Sequence, residues 1–117
     1  MSTFDELMAY QRETEALGQV MGRLGWDQET IMPQGAADQR GEELAALEGV
    51  LHARRVNPRM GDWLASINDD SLDAFGQAAM RIMRKDFARN TKVPGELAAE
   101  IAKTTSKAQG IWAKARA

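Results

Sequence analysis

Apolar residues recur at alternating spacings of three and four along almost the whole chain, which is the pattern of amphipathic helices. Thr3, with Glu6 three residues later, fits an N-terminal capping box, and Gly25 fits a C-terminal stop. The sequence therefore predicts a first helix over residues 3–25. Its inward stripe consists of Leu7, Tyr10, Thr14, Leu17, Met21 and Leu24.

Four further helices follow from the same pattern. One covers residues 35–55, and a short one covers 58–67 with Pro58 at its first position. Another covers 71–90 after a cluster of turn residues, and the last runs from 94 to the end of the chain without a stop signal. We expect an all-α fold of about five helices in antiparallel hairpins that form an irregular bundle, with the last helix truncated.

The apolar positions of the last two helices predict which faces are buried and which are not. On the fourth helix, the residues expected to point inward are Leu72, Phe75, Ala79, Ile82, Met83 and Phe87. On the fifth, one face carries Leu97, Ile101, Thr104, Ala108, Ile111 or Trp112, and Ala115. If the chain is part of a longer protein, apolar surface should be exposed near Ile111 and Trp112. We then expect self-association into a homo-oligomer.

Composition narrows the class of protein. A chain of 117 residues with 44% hydrophobic and 27% charged residues is typical of one globular domain, so we expect a single helical domain over 1–117. There is no Cys, no secretory signal pattern and no long apolar run, which predicts a cytoplasmic protein that does not contact membranes. Residues 1–51 carry ten acidic and three basic side chains, whereas residues 52–117 carry seven and twelve. The favoured interpretation is that these halves pack together. Nucleic acid is not an expected partner, because the basic residues are spread along helices.

The sequence lacks the residue combinations that common metal and nucleophilic catalytic sites need. His52 is the only histidine, and a zinc site needs three or four N, S or O ligands. The same count leaves no Ser-His-Asp or Cys-His arrangement unless His52 has a distant partner. We therefore expect no catalytic, cofactor-binding or metal-binding residue in this chain.

One segment between the first two predicted helices contains more polar and aromatic side chains than a turn requires. Two interpretations stay open: its side chains form structural bonds, or they line a ligand cleft. If Trp26 is buried, Asp27 beside it would need a hydrogen-bond partner or a cation such as Arg40; it could alternatively cap the following backbone. The candidate site residues are Trp26, Asp27, Gln28, Glu29, Thr30 and Met32.

The same segment carries a family resemblance. Residues 24–30, Leu-Gly-Trp-Asp-Gln-Glu-Thr, followed by Met32, Pro33 and Gly35, resemble the N-terminal signature of carboxypeptidase Taq type metallocarboxypeptidases. Residues 91–97 resemble that family's Thr-x-Val-Pro-x-Glu-Leu segment, and residues 105–116 resemble the start of the long helix after it. Ile31 departs from the pattern, since many relatives have an aromatic residue there.

The resemblance implies a non-catalytic role for this segment, because the catalytic motif of the family is missing from it. Members of the family are much longer helical zinc peptidases that release C-terminal amino acids, with metal ligands on a His-Glu-x-x-His helix and a downstream Glu. That motif is absent from this sequence. The resemblance thus implies an N-terminal wall or lid of a substrate cleft, inactive alone. It also implies that the C-terminal catalytic part of the same polypeptide is the partner, with zinc or cobalt and a peptide substrate bound in the longer protein. The alternative is a stand-alone helical protein-interaction module without enzymatic activity.

Overall fold

A computed structural model describes residues 2–117, and the expected all-α architecture is confirmed. The five α-helices are α1 (Thr3–Thr30), α2 (Ala37–Arg55), α3 (Pro58–Ser66), α4 (Ala74–Asn90) and α5 (Gly95–Arg116). Short 3-10 turns, Gln34–Ala36 and Asp69–Ser71, precede α2 and α4. No strand occurs within residues 2–117.

Side-chain caps begin α1, α3 and α4, and they are not always the caps that the sequence predicted. Ser2, not Thr3, caps α1: its hydroxyl accepts from the Asp5 N–H at 3.1 Å, and the Asp5 carboxylate accepts from the Ser2 N–H at 3.2 Å. Asp73 caps α4 by accepting from the Gly76 N–H at 2.7 Å. Helix α4 therefore begins at Ala74 and not at 71, because the preceding residues are used for a 3-10 turn.

Helix α1 runs past Gly25, where the sequence predicted its end, as far as Thr30. A glycine inside a helix costs only about 1 kcal/mol relative to alanine, so it does not by itself terminate one. The helix ends where the backbone N–H groups of Ile31 and Met32 both donate to the Asp27 carbonyl, at 3.1 and 2.9 Å. Residues 26–30 are thus the last turns of α1, and the prediction that they connect two helices was wrong.

The apolar core lies between the N-terminal half of α1, helix α3 and helix α4. Its buried members are all large: Leu7, Met60, Trp63, Leu64, Met80 and Met83. Arg84 locks the end of α3 onto α4, since its guanidinium donates to the Leu64 carbonyl at 3.1 and 3.0 Å and to the Asp69 carboxylate at 2.6 and 2.8 Å.

Two residues of α4 that were expected to point inward do not. Phe75 is 69% exposed and Ile82 is 58% exposed, because α4 is rotated so that Gly76, Met80 and Met83 face the core. The glycine at position 76 permits this rotation. A Cβ there would lie 2.9 Å from the Leu72 Cβ, so only glycine lets Leu72 pack over the first turn of α4.

Helix α5 packs along α2, and this α2–α5 interface is built from small residues. A Cβ at Gly41 would lie 3.3 Å from the Lys107 Cγ and 3.6 Å from the Lys103 carbonyl oxygen. At Gly110 it would lie 3.4 Å from the Ala37 Cβ. The two helix backbones can therefore approach closely. An ion pair between Glu42 and Lys103 at 2.9 Å adds to the contact.

Ion pairs also join the acidic and basic halves of the chain, as the charge distribution indicated. Glu42–Lys103 is one such pair, and Arg54 reaches Glu13 at 3.2 Å and Arg55 reaches Glu48 at 3.4 Å. The complementary charges of the two halves are therefore used, at least in part, within the fold.

The molecule is elongated and exposes more surface than its mass requires. It measures 55 × 25 × 22 Å, and its radius of gyration is 17.2 Å, against about 13 Å for a compact domain of this length. Its accessible surface is 7722 Å², against roughly 6300 Å² for a folded monomer of this mass. Within residues 2–117, no helix combines the length and the apolar character needed to cross a membrane.

Candidate functional site

A cleft of about 440 Å³ lies between the end of α1, the 3-10 turn before α2 and the C-terminal half of α5. Only some of the six candidate site residues belong to this cleft. Four of the six line it, whereas Trp26 and Asp27 do not. The four are Gln28, Glu29, Thr30 and Met32.

Asp27 is used for structure, and its partner is the cation that the sequence suggested. The Arg40 guanidinium donates to the Asp27 carboxylate at 2.7 Å, to the Glu43 carboxylate at 2.9 Å and to the Leu24 carbonyl at 2.6 Å. The Arg40 side chain is only 12% exposed. The hydrogen bond that Arg40 donates to Asp27, followed by the one that it donates to Glu43, raises the pKa of Arg40 above its ordinary value. Arg40 thereby fixes the last turns of α1 to α2.

Gln28 joins α1 to α5 by a reciprocal pair of hydrogen bonds. Its Nε2 donates to the Ser106 carbonyl at 2.8 Å, and the Ser106 hydroxyl donates to the Gln28 Oε1 at 3.2 Å. Ser106 is 4% exposed. The side chain of Gln28 therefore lines the cleft and bonds its α1 side to α5.

The remaining candidate residues are more open to solvent. Trp26 is 64% exposed, and Glu29 and Thr30 are exposed as well. The Thr30 hydroxyl donates back to the Trp26 carbonyl at 2.7 Å, within the helix, and Met32 is half-buried. Glu29 and Thr30 are thus the signature side chains that line the cleft and remain available to a ligand.

The other lining residues make the cleft a mixed surface. Lys107 and Lys114 supply positive charge, Asp38 negative charge, and Gln34 and Gln109 amide groups, with apolar patches between them. Amide and charged side chains around a partly apolar cleft suit the binding of a polar chain such as a peptide.

Within residues 2–117, no group of three His, Asp or Glu side chains lies together in a way that could hold a metal ion. His52 is buried in α2, where a Cβ on Gly95 would lie 3.4 Å from its Cδ2. The part of the chain that the structure describes thus offers no set of side chains that fits a zinc site.

Ser106 is the residue of this region that the sequence pattern did not single out. It lies on a face of α5 with Ala98, Ala102 and Gly110, each four residues from the next. Such a row of small residues indicates close helix packing, but the larger apolar residues on the opposite face of α5 give the stronger periodic signal.

Comparison with known proteins decides the family. The family model described as "Carboxypeptidase Taq (M32) metallopeptidase" matches residues 6–117. The chain belongs to the carboxypeptidase Taq family. The resemblance carried by residues 24–35, 91–97 and 105–116 is therefore confirmed, and with it the relationship to metallopeptidases.

One relative within this family shows how similar the chain is to a longer protein and how much of that protein it covers. The chain is 33% identical, over 119 aligned positions and 98% of its own length, to Thermostable carboxypeptidase 1 of Thermus thermophilus. It spans only 23% of the length of that relative. No solved structure matches the chain.

Proposed function

We propose that this chain is the N-terminal helical region of a metal-dependent carboxypeptidase, in which it forms a wall or lid of the cleft that binds peptide substrates. The observation that carries the proposal is the family match over residues 6–117, in a chain that spans 23% of the carboxypeptidase it resembles. The parent enzyme is a hydrolase that releases C-terminal amino acids from peptides.

The structure of the signature supports a wall more than a catalytic centre. Arg40 and Gln28 hold α1 against α2 and α5, so the cleft keeps its shape without a ligand. Preformed clefts bind with less ordering cost than flexible ones. Glu29 and Thr30 are the signature groups that remain free to contact a peptide, and Lys107 and Lys114 give the opposite side a positive charge.

Chemistry belongs to the C-terminal catalytic part of the same polypeptide, which we propose as the partner of this region. That part would hold zinc, or another divalent metal such as cobalt, which would supply Lewis-acid chemistry for peptide hydrolysis. The N-terminal helical region would exclude bulk water from the bound peptide and restrict which substrates enter.

The direct experiment incubates the purified 117-residue chain with an unblocked peptide and added zinc or cobalt, and follows C-terminal residues by mass spectrometry. We expect no release. A complementary chimera replaces the matched segment of the Thermus thermophilus enzyme with this chain, and we expect metal-dependent release of C-terminal residues. Robust hydrolysis by the isolated chain, or a well-folded chimera that is inactive with metal, would overturn the proposal.

The contribution of the cleft is tested in the chimera. Glu29→Ala and Thr30→Ala should change KM for a peptide more than they change kcat. Glu15→Ala, an exposed glutamate on α1 outside the cleft, is the matched control and should change neither. Equal effects from all three substitutions would argue that the cleft does not contact substrate.

The second candidate is a stand-alone helical interaction module, and the exposed apolar side chains of α5 favour it. The two functions differ in what the gene encodes after the codon for Ala117. A His-Glu-x-x-His motif in the continuing reading frame supports the peptidase, whereas a stop codon supports the module.

A further inference from the structure

Another cavity, of about 370 Å³, lies where α2, the end of α4 and the start of α5 meet. It is at the opposite end of the α2–α5 interface from the cleft, and the two share no lining residue. One part of its wall is apolar and is formed by Val93, Ala98, Ile101 and Ala102. The other part is polar and consists of Glu48, His52 and Asn90. We call this space the His52 cavity.

His52 is a buried polar side chain for which the fold provides no partner. The residue is 7% exposed, yet its ring nitrogens make no hydrogen bond to another residue between 2 and 117. Every fully enclosed side-chain nitrogen or oxygen in that range has a partner, so the ring nitrogens of His52 must open into the cavity that the residue lines. Because buried polar groups are normally hydrogen-bonded, the imidazole is placed to bond a molecule that enters.

The start of α5 adds hydrogen-bond donors beside this imidazole. A Cβ on Gly95 would lie 3.4 Å from the His52 Cδ2, so the first residue of α5 lies against the ring. Pro94 occupies the N-cap position, and no side chain there accepts from the first N–H groups of the helix. Uncapped N–H groups at a helix start favour an anion, and the half-buried Asn90 amide can donate as well. This end of the cavity therefore suits a carboxylate.

Glu48 gives the cavity a group of the opposite preference. It lies one helical turn before His52 on α2, and its side chain is 19% exposed. Its Oε1 accepts from the Arg55 guanidinium at the long distance of 3.4 Å, which leaves Oε2 for another donor. A carboxylate with an open oxygen binds an ammonium group by a charge-assisted hydrogen bond. The cavity thus offers an acceptor for a cation close to donors for an anion.

We propose that the His52 cavity binds a free L-amino acid with an apolar side chain, such as leucine. Its carboxylate accepts from His52 and the start of α5, its ammonium donates to Glu48, and its side chain packs on the apolar wall. The space is sufficient, because a cavity of about 150 Å³ already accommodates benzene. A simple carboxylate would be opposed by Glu48, and a simple amine by the positive start of α5. The zwitterion satisfies both groups.

This ligand class has a connection with the proposed peptidase, which would release free amino acids. Only that connection rests on the proposed function. The binding itself concerns the 117-residue chain and can be measured on it directly.

Titration with L-leucine, followed by NMR chemical shifts, tests the site. We expect saturable shifts with a dissociation constant of about 1 mM or less. His52 is the only histidine, so its ring C–H signals can be assigned without ambiguity and should be among those that shift. No saturation by about 10 mM leucine, or saturable binding that leaves the His52 ring signals unchanged, would overturn the proposal.

Three related probes separate the contacts without changing the protein. Leucinamide lacks the carboxylate and N-acetylleucine lacks the ammonium, so each should bind at least about tenfold more weakly, because each loses hydrogen bonds that involve a charged group. D-leucine should bind several-fold more weakly, because the cavity holds three different groups of one carbon atom. Binding of any of the three probes as tightly as L-leucine would contradict the arrangement.

A matched pair of substitutions tests the ammonium contact. Glu48→Gln should weaken leucine binding at least about tenfold, because it removes the charge that the ammonium group bonds. Glu100→Gln is the control, since Glu100 is an exposed carboxylate of α5 that bonds Thr104 and does not line the cavity. Equal effects of the two substitutions would refute the role of Glu48.

The outcome for the His52 cavity can be told apart from the outcome for the proposed function. Absence of leucine binding together with an active chimera would overturn the amino acid site and leave the peptidase proposal intact. Leucine binding by the 117-residue chain together with an inactive, well-folded chimera would support the site and overturn the peptidase proposal.

Discussion

The two ends of this molecule are held together in different ways. In the apolar core, α1, α3 and α4 meet through large side chains such as Leu7, Trp63 and Met80, which are at most 8% exposed. At the other end, glycines set the separation of α2 and α5, the Gln28–Ser106 pair bonds α1 to α5, and Arg40 bonds α2 to α1. There the larger apolar residues of α5 face outward.

The two regions owe their stability to different interactions. Burial of large apolar groups gives the core a free energy proportional to the area removed from water. The α2–α5 interface depends on dispersion contacts between closely approaching helices and on hydrogen bonds, whose net contribution is smaller. The core can therefore sustain itself, while α5 is positioned by close helix approach and specific polar contacts and leaves its larger apolar side chains exposed.

The largest effect should come from the core. Leu7→Ala removes a side chain that is 0% exposed and leaves a cavity, so it should cost about 2–5 kcal/mol of unfolding free energy. Leu97→Ala, at a position of α5 that is 49% exposed, should cost less than about 0.5 kcal/mol. Urea unfolding at low concentration measures both. Comparable costs would break the contrast between the two regions.

This contrast also explains what the sequence could predict. Five helices and the inward stripe of α1 follow from periodicity and caps. The exposure of Ile111 and Trp112 was expected on the condition that the chain is part of a longer protein. Periodicity could not place Phe75 and Ile82 outside, because an apolar residue next to the core and one that faces a second surface look alike in a sequence.

The sequence could predict only part of the candidate site. Arg40 could be named as a partner of Asp27, since a half-buried carboxylate needs one. Gln28 and Ser106 are 78 positions apart, and their contact depends on how α5 lies across the end of α1. That geometry is set by glycine contacts between α2 and α5, which carry little hydrophobic signal.

A smaller effect should come from the link between Gln28 and Ser106. Gln28→Ala removes both hydrogen bonds and should cost about 1–3 kcal/mol, whereas Ser106→Ala removes only the bond from the hydroxyl and should cost about 1 kcal/mol. The double variant should cost less than the sum, with a coupling of about 0.5–1.5 kcal/mol. Urea unfolding gives the energies, and amide exchange in α5 shows whether the loss is local to the α2–α5 interface.

Gln11→Ala is the matched control for this link. Gln11 also bonds through its Nε2, at 2.9 Å to Glu15, but the bond lies on the exposed surface of α1. Its removal should change the unfolding free energy by less than about 0.5 kcal/mol. Additive costs for Gln28 and Ser106, or an equal cost for Gln11, would show that the link does not position α5.

The smallest effect is the response of the two regions to acid. A hydrogen bond from Lys103 holds the pKa of Glu42 below its ordinary value of 4.5, and one from Arg84 holds the pKa of Asp69 below 3.8. A carboxylate whose pKa is lower in the folded state stabilises the fold above its unfolded pKa. That contribution is lost as the pH falls through the folded pKa, so it should be full at about pH 7 and decline below about pH 4.5 for Glu42.

Two variants separate the α2–α5 interface from the core in this pH range. Glu42→Gln should lower stability slightly at neutral pH, and its difference from wild type should vanish in acid. Asp69→Asn should do the same at lower pH, because the ordinary pKa of an aspartate is lower. Because both carboxylates are solvent-accessible, raising the salt concentration should shrink both differences. Amide hydrogen exchange measured as a function of pH shows where protection is lost. Loss of the Glu42 carboxylate should open α5 first, and loss of the Asp69 carboxylate should open the junction of α3 and α4 first. Simultaneous loss of protection in both regions would mean that they unfold as one unit and that the division drawn between them does not hold in acid.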